Sequence, residues 1–420
     1  MAIAAVAAIW FVSLDRPIGK SAPRSALIIA TCILVVPIAQ LVPLPPGLWH
    51  ALPGRALARE ALGLVDHGDD WRSVSLAPDR TLASLLAMIP AAVILIMAAS
   101  LGRRGRVLVV AVAASGALLT MVVGAAQLSQ GPGSSLRFYG GGSSFLEGFQ
   151  ANHNSTADML LVGLIAGLTL IRELALDGIL RLPRGGIIAF GSVVAALFGL
   201  GVVLTGSRAG IALLPFALVG GAVLLRPWFS ITRRGLGISL ATLVAIATLG
   251  LFGSAHNAAL ANVLSRFTFG DELRPDLWAD SLYTARAYFP VGVGMGDFVP
   301  ALLQGERLEI VKAAVPNRAH NEYLELMVEA GIFGLAALGA ISGILLAALV
   351  RAHRSPPAGS IGLAIFGGTA LVILALHSLV DYPFRSMSLA LLAAVCAGIV
   401  LPHENGMTRR GRSGMLDESQ

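Results

Sequence analysis

A chain of 420 residues with 56% hydrophobic side chains, only 13% charged ones and a mean hydropathy of +0.78 is not a soluble globular protein, in which about a quarter of residues carry charge. The formal charge of +6 is distributed over loops and gives no footprint for nucleic acid. Two cysteines, Cys32 and Cys396, lie inside apolar runs, so no disulfide framework can be read.

In chain order, the opening run from Met1 to Leu14 lacks the basic start and small-residue cleavage site of a signal peptide and is counted as a first helix, short for a span. Apolar runs of spanning length, on the order of 20 residues, are predicted near 25–43, 82–101, 107–128, 154–171, 187–205, 209–225, 236–253, 323–350, 361–380 and 386–401. The expected fold is an all-α polytopic membrane protein of about eleven spans, within a range of ten to twelve.

The basic residues set the direction of these spans. Arg16, Lys20 and Arg24; Arg103, Arg104 and Arg106; Arg172, Arg181 and Arg184; Arg226, Arg233 and Arg234; and Arg351 and Arg354 fall on alternate loops, and Arg409, Arg410 and Arg412 fall on the same side. The positive-inside rule puts those loops in the cytoplasm and the N-terminus outside. Outer loops are then 44–81, 129–153 and 254–322, and in the first of them the acids match the bases. The organisation expected is an N-terminal group of spans over 1–140, a second membrane domain over 141–400 that includes loop 254–322, and a cytoplasmic tail over 401–420.

Polar chemistry gathers at the outer ends of the spans. In "FQANHNSTADMLL", Asn152, His153 and Asn154 close an outer loop and Asp158 sits about one turn inside the next span. Asn154 and Ser155 suit helix capping, whereas a carboxylate at Asp158 needs a partner or an aqueous cavity. In "LTGSRAG", Arg208 either snorkels to headgroups or offers its planar fork to phosphate, and Gly206 and Gly210 permit close approach. In the long outer loop, Arg274 and Trp278 are one helical turn apart and share a face, and Arg286 follows on the same helix. Pro290 ends that helix, and Gly292, Gly294 and Gly296 suggest a re-entrant turn with exposed backbone N–H groups.

The stretch "NRAHNEYLELMVEAG" then carries Arg318, His320, Asn321, Glu322, Glu325 and Glu329 into the head of an apolar helix. Asn321, Glu325 and Glu329 recur at i, i+4 and i+8, which reads as one polar stripe turned away from lipid. A histidine there is most often interfacial, but it also titrates near neutrality and can take a proton, with the acidic stripe setting its orientation. In "HSLVDYPFR", His377, Asp381 and Arg385 form a further group, best read as an Asp381–Arg385 ion pair at a helix break made by Pro383. No Cys or His pair has zinc-ligand spacing, so no metal is expected.

The combination of "TGSRAG", "RPDLWADSLYTARAYFPVGVGMGDF", "AHNEYLELMVEAGIFG" and "HSLVDYPFR" resembles the bacterial O-antigen ligase and polymerase superfamily over roughly residues 140–400. Its most specific element is His320 and Asn321 with Glu325 and Gly331 downstream, and "GFQANHNSTA" resembles the Asn-rich start of a central span in that family. The resemblance implies a C-type glycosyltransferase fold in the inner membrane with its active site facing the periplasm. It implies transfer of a glycan from an undecaprenyl-pyrophosphate-linked donor to an acceptor hydroxyl, on a lipid A core or another glycan, without metal, nucleotide-sugar or other cofactor. It makes Arg208 and Arg274, with Arg286 competing for the second role, the pyrophosphate ligands and His320 the residue that assists the acceptor. Asn152, Asn154, Asn321, Glu325, Asp381 and Arg385 would support them. A transporter or flippase of polysaccharide or lipid-linked oligosaccharide is the alternative, but it would spread polar groups through both membrane halves.

Overall fold

The computed structural model describes residues 22–139, 144–228, 274–307, 309, 316–354 and 361–402. The predicted spans at 1–14 and 236–253 lie outside the described residues. In chain order the helices are α1 (Arg24–Leu41), α2 (Pro46–His50), α3 (Ala56–Gly63), α4 (Pro78–Ser100), α5 (Arg103–Gln130), α6 (His153–Leu176), α7 (Arg184–Leu204), α8 (Arg208–Leu225), α9 (Arg274–Tyr288), α10 (Phe298–Gly305), α11 (Glu322–Arg354), α12 (Ile361–His377) and α13 (Met387–Val400). A two-residue strand pair, β1 (Pro43–Leu44) and β2 (Arg72–Ser73), is the only sheet among the described residues.

Among the described residues seven helices are long and apolar enough to cross a membrane: α1, α4, α5, α6, α7, α8 with the turn that follows it, and α11. The apolar helices α12 and α13 are shorter. Each of the nine coincides with a predicted run, because lipid offers no partner for backbone polar groups and only a continuous helix satisfies them.

The chain divides into two compact units, each assembled from separate stretches. The first holds α5–α8 and α12, and α6 packs against the other four. That central place follows from sequence: α6 is apolar all round, with Leu160, Leu161, Leu164 and Ile165 fully buried. Gly163 lets α5 approach it, since a Cβ there would run into Ala117. At one end of the unit, Arg103 bonds Glu173 at 2.7 Å and Asp177 at 3.0 Å, while Arg172 donates to the carbonyl of Leu224 at 2.7 Å. Arginines assigned to loops by their charge are therefore partly absorbed in ion pairs and caps.

The second unit holds α1, α4, α9, α10, α13 and most of α11. α4 packs between α1 and α13, and Gly398 brings the α13 backbone against Leu95 and Ala98. The β1–β2 pair, in the register Pro43↔Ser73 and Leu44↔Arg72, closes the loop between α1 and α4 at its base. Arg55, in this loop, is buried, donating to the carbonyls of Val74 at 2.5 Å and Gly292 at 3.2 Å. Burial lowers its pKa to about 10, against the counter-pull of Tyr288 and Asp297.

α11 is two helices joined by a break. Gly331 sits at φ 55°, ψ −141°, so the polar turns Glu322–Ala330 end there and an apolar helix runs on to Arg354. A break inside a span frees backbone groups that must be satisfied internally. Here the carbonyl of Val328 accepts from Val293 at 3.1 Å, and that of Glu329 accepts from Gly294 and from Gln40 Nε2, both at 2.9 Å. The N–H of Ile332 donates to Pro290 at 2.9 Å. The glycine run thus has a different role from the one its sequence suggested: Gly292 and Gly294 are buried, and their N–H groups are spent on backbone carbonyls rather than exposed to a ligand.

Candidate active site

The geometry around His320 is fixed from both sides. Ala319 is fully buried; its N–H donates to Glu325 Oε2 at 3.1 Å, and its carbonyl accepts from Trp278 Nε1 at 3.0 Å. With Ala319 held and α11 starting two residues on, the chain passes through His320 at φ 47°, a left-handed conformation uncommon outside glycine. Asn321 then caps α11, its Oδ1 accepting from Tyr323 and Leu324 at 3.1 Å. Asn321 is therefore a cap and not the first member of a helical stripe, because it precedes the helix.

The imidazole Nδ1 of His320 lies 3.2 Å from Asp381 Oδ1, and the ring meets Tyr382 edge-on at 4.9 Å between centroids. A carboxylate can only accept, so ionised Asp381 makes Nδ1 the protonated nitrogen and leaves the Nε2 lone pair as the acceptor. The His320 side chain is 32% exposed and Asp381 is buried, so a partly open imidazole is held by an anchored partner.

Glu325 and Glu329, both fully buried, turn to arginines and not to His320. Arg385 Nη2 lies 2.7 Å from Glu329 and 3.2 Å from Glu325, and Arg318 Nη1 donates to Glu325 at 2.9 Å. The Asp381–Arg385 pair expected from sequence is replaced by these contacts. Burial opposes charge on Arg385, but Glu329, Glu325 and Glu322 outweigh it and raise its pKa. Glu322 is also engaged, accepting from Phe384 N at 2.8 Å and Ser378 Oγ at 3.2 Å. The acidic turns of α11 and the segment 378–385 are one ion-paired block, and that block positions Asp381.

On α9, Arg274 opens the helix half-buried, one turn before Trp278, whose indole holds Ala319. Arg286 stands exposed in the last turn. Arg274 is thus on the stretch of α9 tied to the histidine segment.

In the first unit, Arg208 is the first residue of α8, after a turn in which Gly206 has φ 63° and Ser207 accepts from Gly210 N at 3.1 Å. A Cβ at Gly206 would strike Phe145 and one at Gly210 would strike Ala157, so these glycines accommodate the chain's own packing. Asn152 caps α6 by accepting from Asn154 N at 2.8 Å. Capping therefore falls to Asn152, with Asn154 inside the helix. Asp158 finds the partner it required in His377, with Oδ1 to Nδ1 2.6 Å and both side chains 1% exposed. Among the described residues no group of three or more His, Cys, Asp and Glu side chains could hold a metal ion.

Fold and site together define a polytopic α-helical membrane protein with a histidine–aspartate pair at the head of an interrupted helix. The family model described as O-antigen ligase matches residues 193–339, the segment that contains Arg208, Arg274, Arg286, His320, Asn321, Glu325 and the break at Gly331. The resemblance carried by the motifs is thus shown over that segment, and it implies activity of the O-antigen ligase or polymerase type, a membrane glycosyltransferase reaction. No curated protein matches the chain.

Proposed function

We propose that the protein transfers a glycan from an undecaprenyl-pyrophosphate-linked donor to an acceptor hydroxyl, on lipid A core or on another lipid-linked glycan, at the periplasmic face of the bacterial inner membrane. The observation that supports this most is the partly exposed His320 imidazole, which lies within the O-antigen ligase match and pairs at 3.2 Å with Asp381. His320 Nε2 takes the proton of the acceptor hydroxyl, whose oxygen attacks the anomeric carbon. The bond from that carbon to the pyrophosphate oxygen breaks, and undecaprenyl pyrophosphate leaves with inversion at the sugar. Charge develops on the leaving oxygens, and guanidinium groups stabilise it. Arg208 and Arg274 are assigned to them, with Arg286 as the competitor on α9. Asn152 and Asn321 act through structure as caps and Glu325 and Arg385 as an ion pair, with Asn154 in the first turn that Asn152 caps.

The test is a reconstitution of purified protein in lipid with a lipid-linked donor and an acceptor, following formation of glycan-capped acceptor and release of undecaprenyl pyrophosphate. Turnover supports the reading; movement of intact donor across the bilayer without bond cleavage would replace it with transport. In a deletion strain, loss of all capped lipid A with long lipid-linked chains retained would identify a ligase, and single-repeat caps a polymerase.

A further inference from the structure

The loop between α1 and α4 contains the least covered apolar surface of the described chain outside the spans. α3 has no buried residue. Leu57 and Ala61 are one turn apart on it and Leu64 and Val65 follow directly at its C-terminal end; Leu64 is 84% exposed, Val65 60% and Leu57 59%. Leu48 (59%) and Trp71 (66%) extend the patch beyond the helix. Five large apolar side chains this exposed within 25 residues make a surface that seeks cover.

We propose that this lobe lies in the membrane interface, with α3 parallel to the bilayer surface and Leu57, Leu64, Val65 and Trp71 among the acyl-chain ends of the adjoining leaflet. The lobe cannot leave that surface, because both its ends run into spans: α1 ends at Leu41, α4 begins at Pro78, and the β1–β2 pair draws the ends together. Exposed apolar side chains also run along the chain toward the lobe, with Val35 and Ile38 on α1 and Val42 just after it. Trp71 is the residue type that anchors at the headgroup boundary. Electrostatic adsorption is not the driving force, since Glu60, Asp66, Asp69 and Asp70 outnumber Arg55, Arg59 and Arg72, and Arg55 is buried. The seating is linked to the site, because Arg55 at the base of the lobe also bonds Gly292 in the turn that receives the break of α11.

The test uses the full chain in nanodiscs, with Cys32 and Cys396 replaced and single spin labels at Leu57→Cys, Leu64→Cys or Arg59→Cys. Oxygen, which partitions into lipid, relaxes labels at 57 and 64 more than a water-soluble nickel chelate does, and the order reverses at 59. The pattern persists at high salt. Nickel access at all three positions would overturn the proposal. So would spin–spin broadening at 64 that disappears on dilution with unlabelled protein, which would assign the patch to a second copy of the chain. Should the cysteine variants fail to fold, lipids brominated near the headgroup serve with native cysteines: they quench a component of tryptophan emission that Trp71→Phe removes, and equal quenching in both proteins would contradict the proposal.

Discussion

His320 and Asp381 stand 61 positions apart in the chain and meet at 3.2 Å, imidazole Nδ1 to carboxylate Oδ1. With Asp381 ionised and the imidazole neutral, the contact makes Nδ1 the donor and leaves the Nε2 lone pair open, the state the proposed base role requires. Asp381→Asn presents an amide whose N–H₂ favours the opposite tautomer. Transfer should fall by about 10²–10⁴-fold, in kcat more than in KM, with donor binding and thermal stability near wild type. A matched loss of donor binding would make Asp381 a general structural residue.

Arg385 lies between two fully buried carboxylates, Glu329 at 2.7 Å and Glu325 at 3.2 Å. Arg385→Met leaves Glu329 without its counter-charge, Glu325 keeping Arg318, and should cost about 3–5 kcal/mol, read as a large drop in apparent unfolding temperature in detergent. Combining it with Glu329→Met should recover part of the loss. A fully stable single variant would show that water reaches the glutamates.

Gly331 occupies a positive φ, and a Cβ there would run into the carbonyl oxygen of Pro290. Gly331→Ala should therefore destabilise by at least about 1–3 kcal/mol. It should also loosen the 290–294 turn, visible as faster amide exchange at Val293 and Gly294. Unchanged exchange would mean that the break does not depend on glycine.

Asp297 is buried in the same turn, its Oδ2 accepting from Ser75 Oγ and Ala77 N at 3.0 Å. Its Oδ1 has no hydrogen-bond partner among the described residues. Burial pushes its pKa up to about 7, against the pull of those two hydrogen bonds. The folded state therefore holds a proton that the unfolded chain, titrating near about 4, has already lost, so stability declines as pH rises from about 4 to about 7. Asp297→Asn should flatten that dependence between about pH 4 and 7 in thermal scans. An unchanged slope would assign the titration elsewhere.

Arg208 opens α8 and Arg274 opens α9. Arg208→Lys should lose most transfer with normal membrane expression, because a point charge does not reproduce a bidentate phosphate grip. Full activity would favour snorkelling. Arg274→Ala should cost more than Arg286→Ala, since Arg286 is exposed at the far end of α9.

The orientation follows from charge alternation. Single cysteines in 254–322 should label from the periplasm and those in 226–235 should not. The reverse pattern would overturn the orientation.

The apolar helices were legible because bilayer thickness sets their length and lipid their composition. That His320, Asn321 and Glu325 would be engaged by other polar groups was legible, because polar groups at the head of a span require partners. Their partners were not. Asp381 to His320, Arg385 to Glu329, Gln40 to Glu329 and Arg55 to Gly292 are pairings across 56 to 289 positions, and periodicity says nothing about contacts between distant elements. The i, i+4, i+8 spacing misread Asn321, because the helix begins after it. The glycine run looked like an open turn because sequence does not reveal that the broken α11 supplies carbonyls for its N–H groups.

The most direct measurement is transfer by purified His320→Ala protein in lipid, assayed beside its binding of the undecaprenyl-pyrophosphate donor. Removing a general base costs about 10²–10⁴-fold in rate. The account predicts loss of transfer on that scale with donor binding retained, and wild-type transfer by the variant would contradict it.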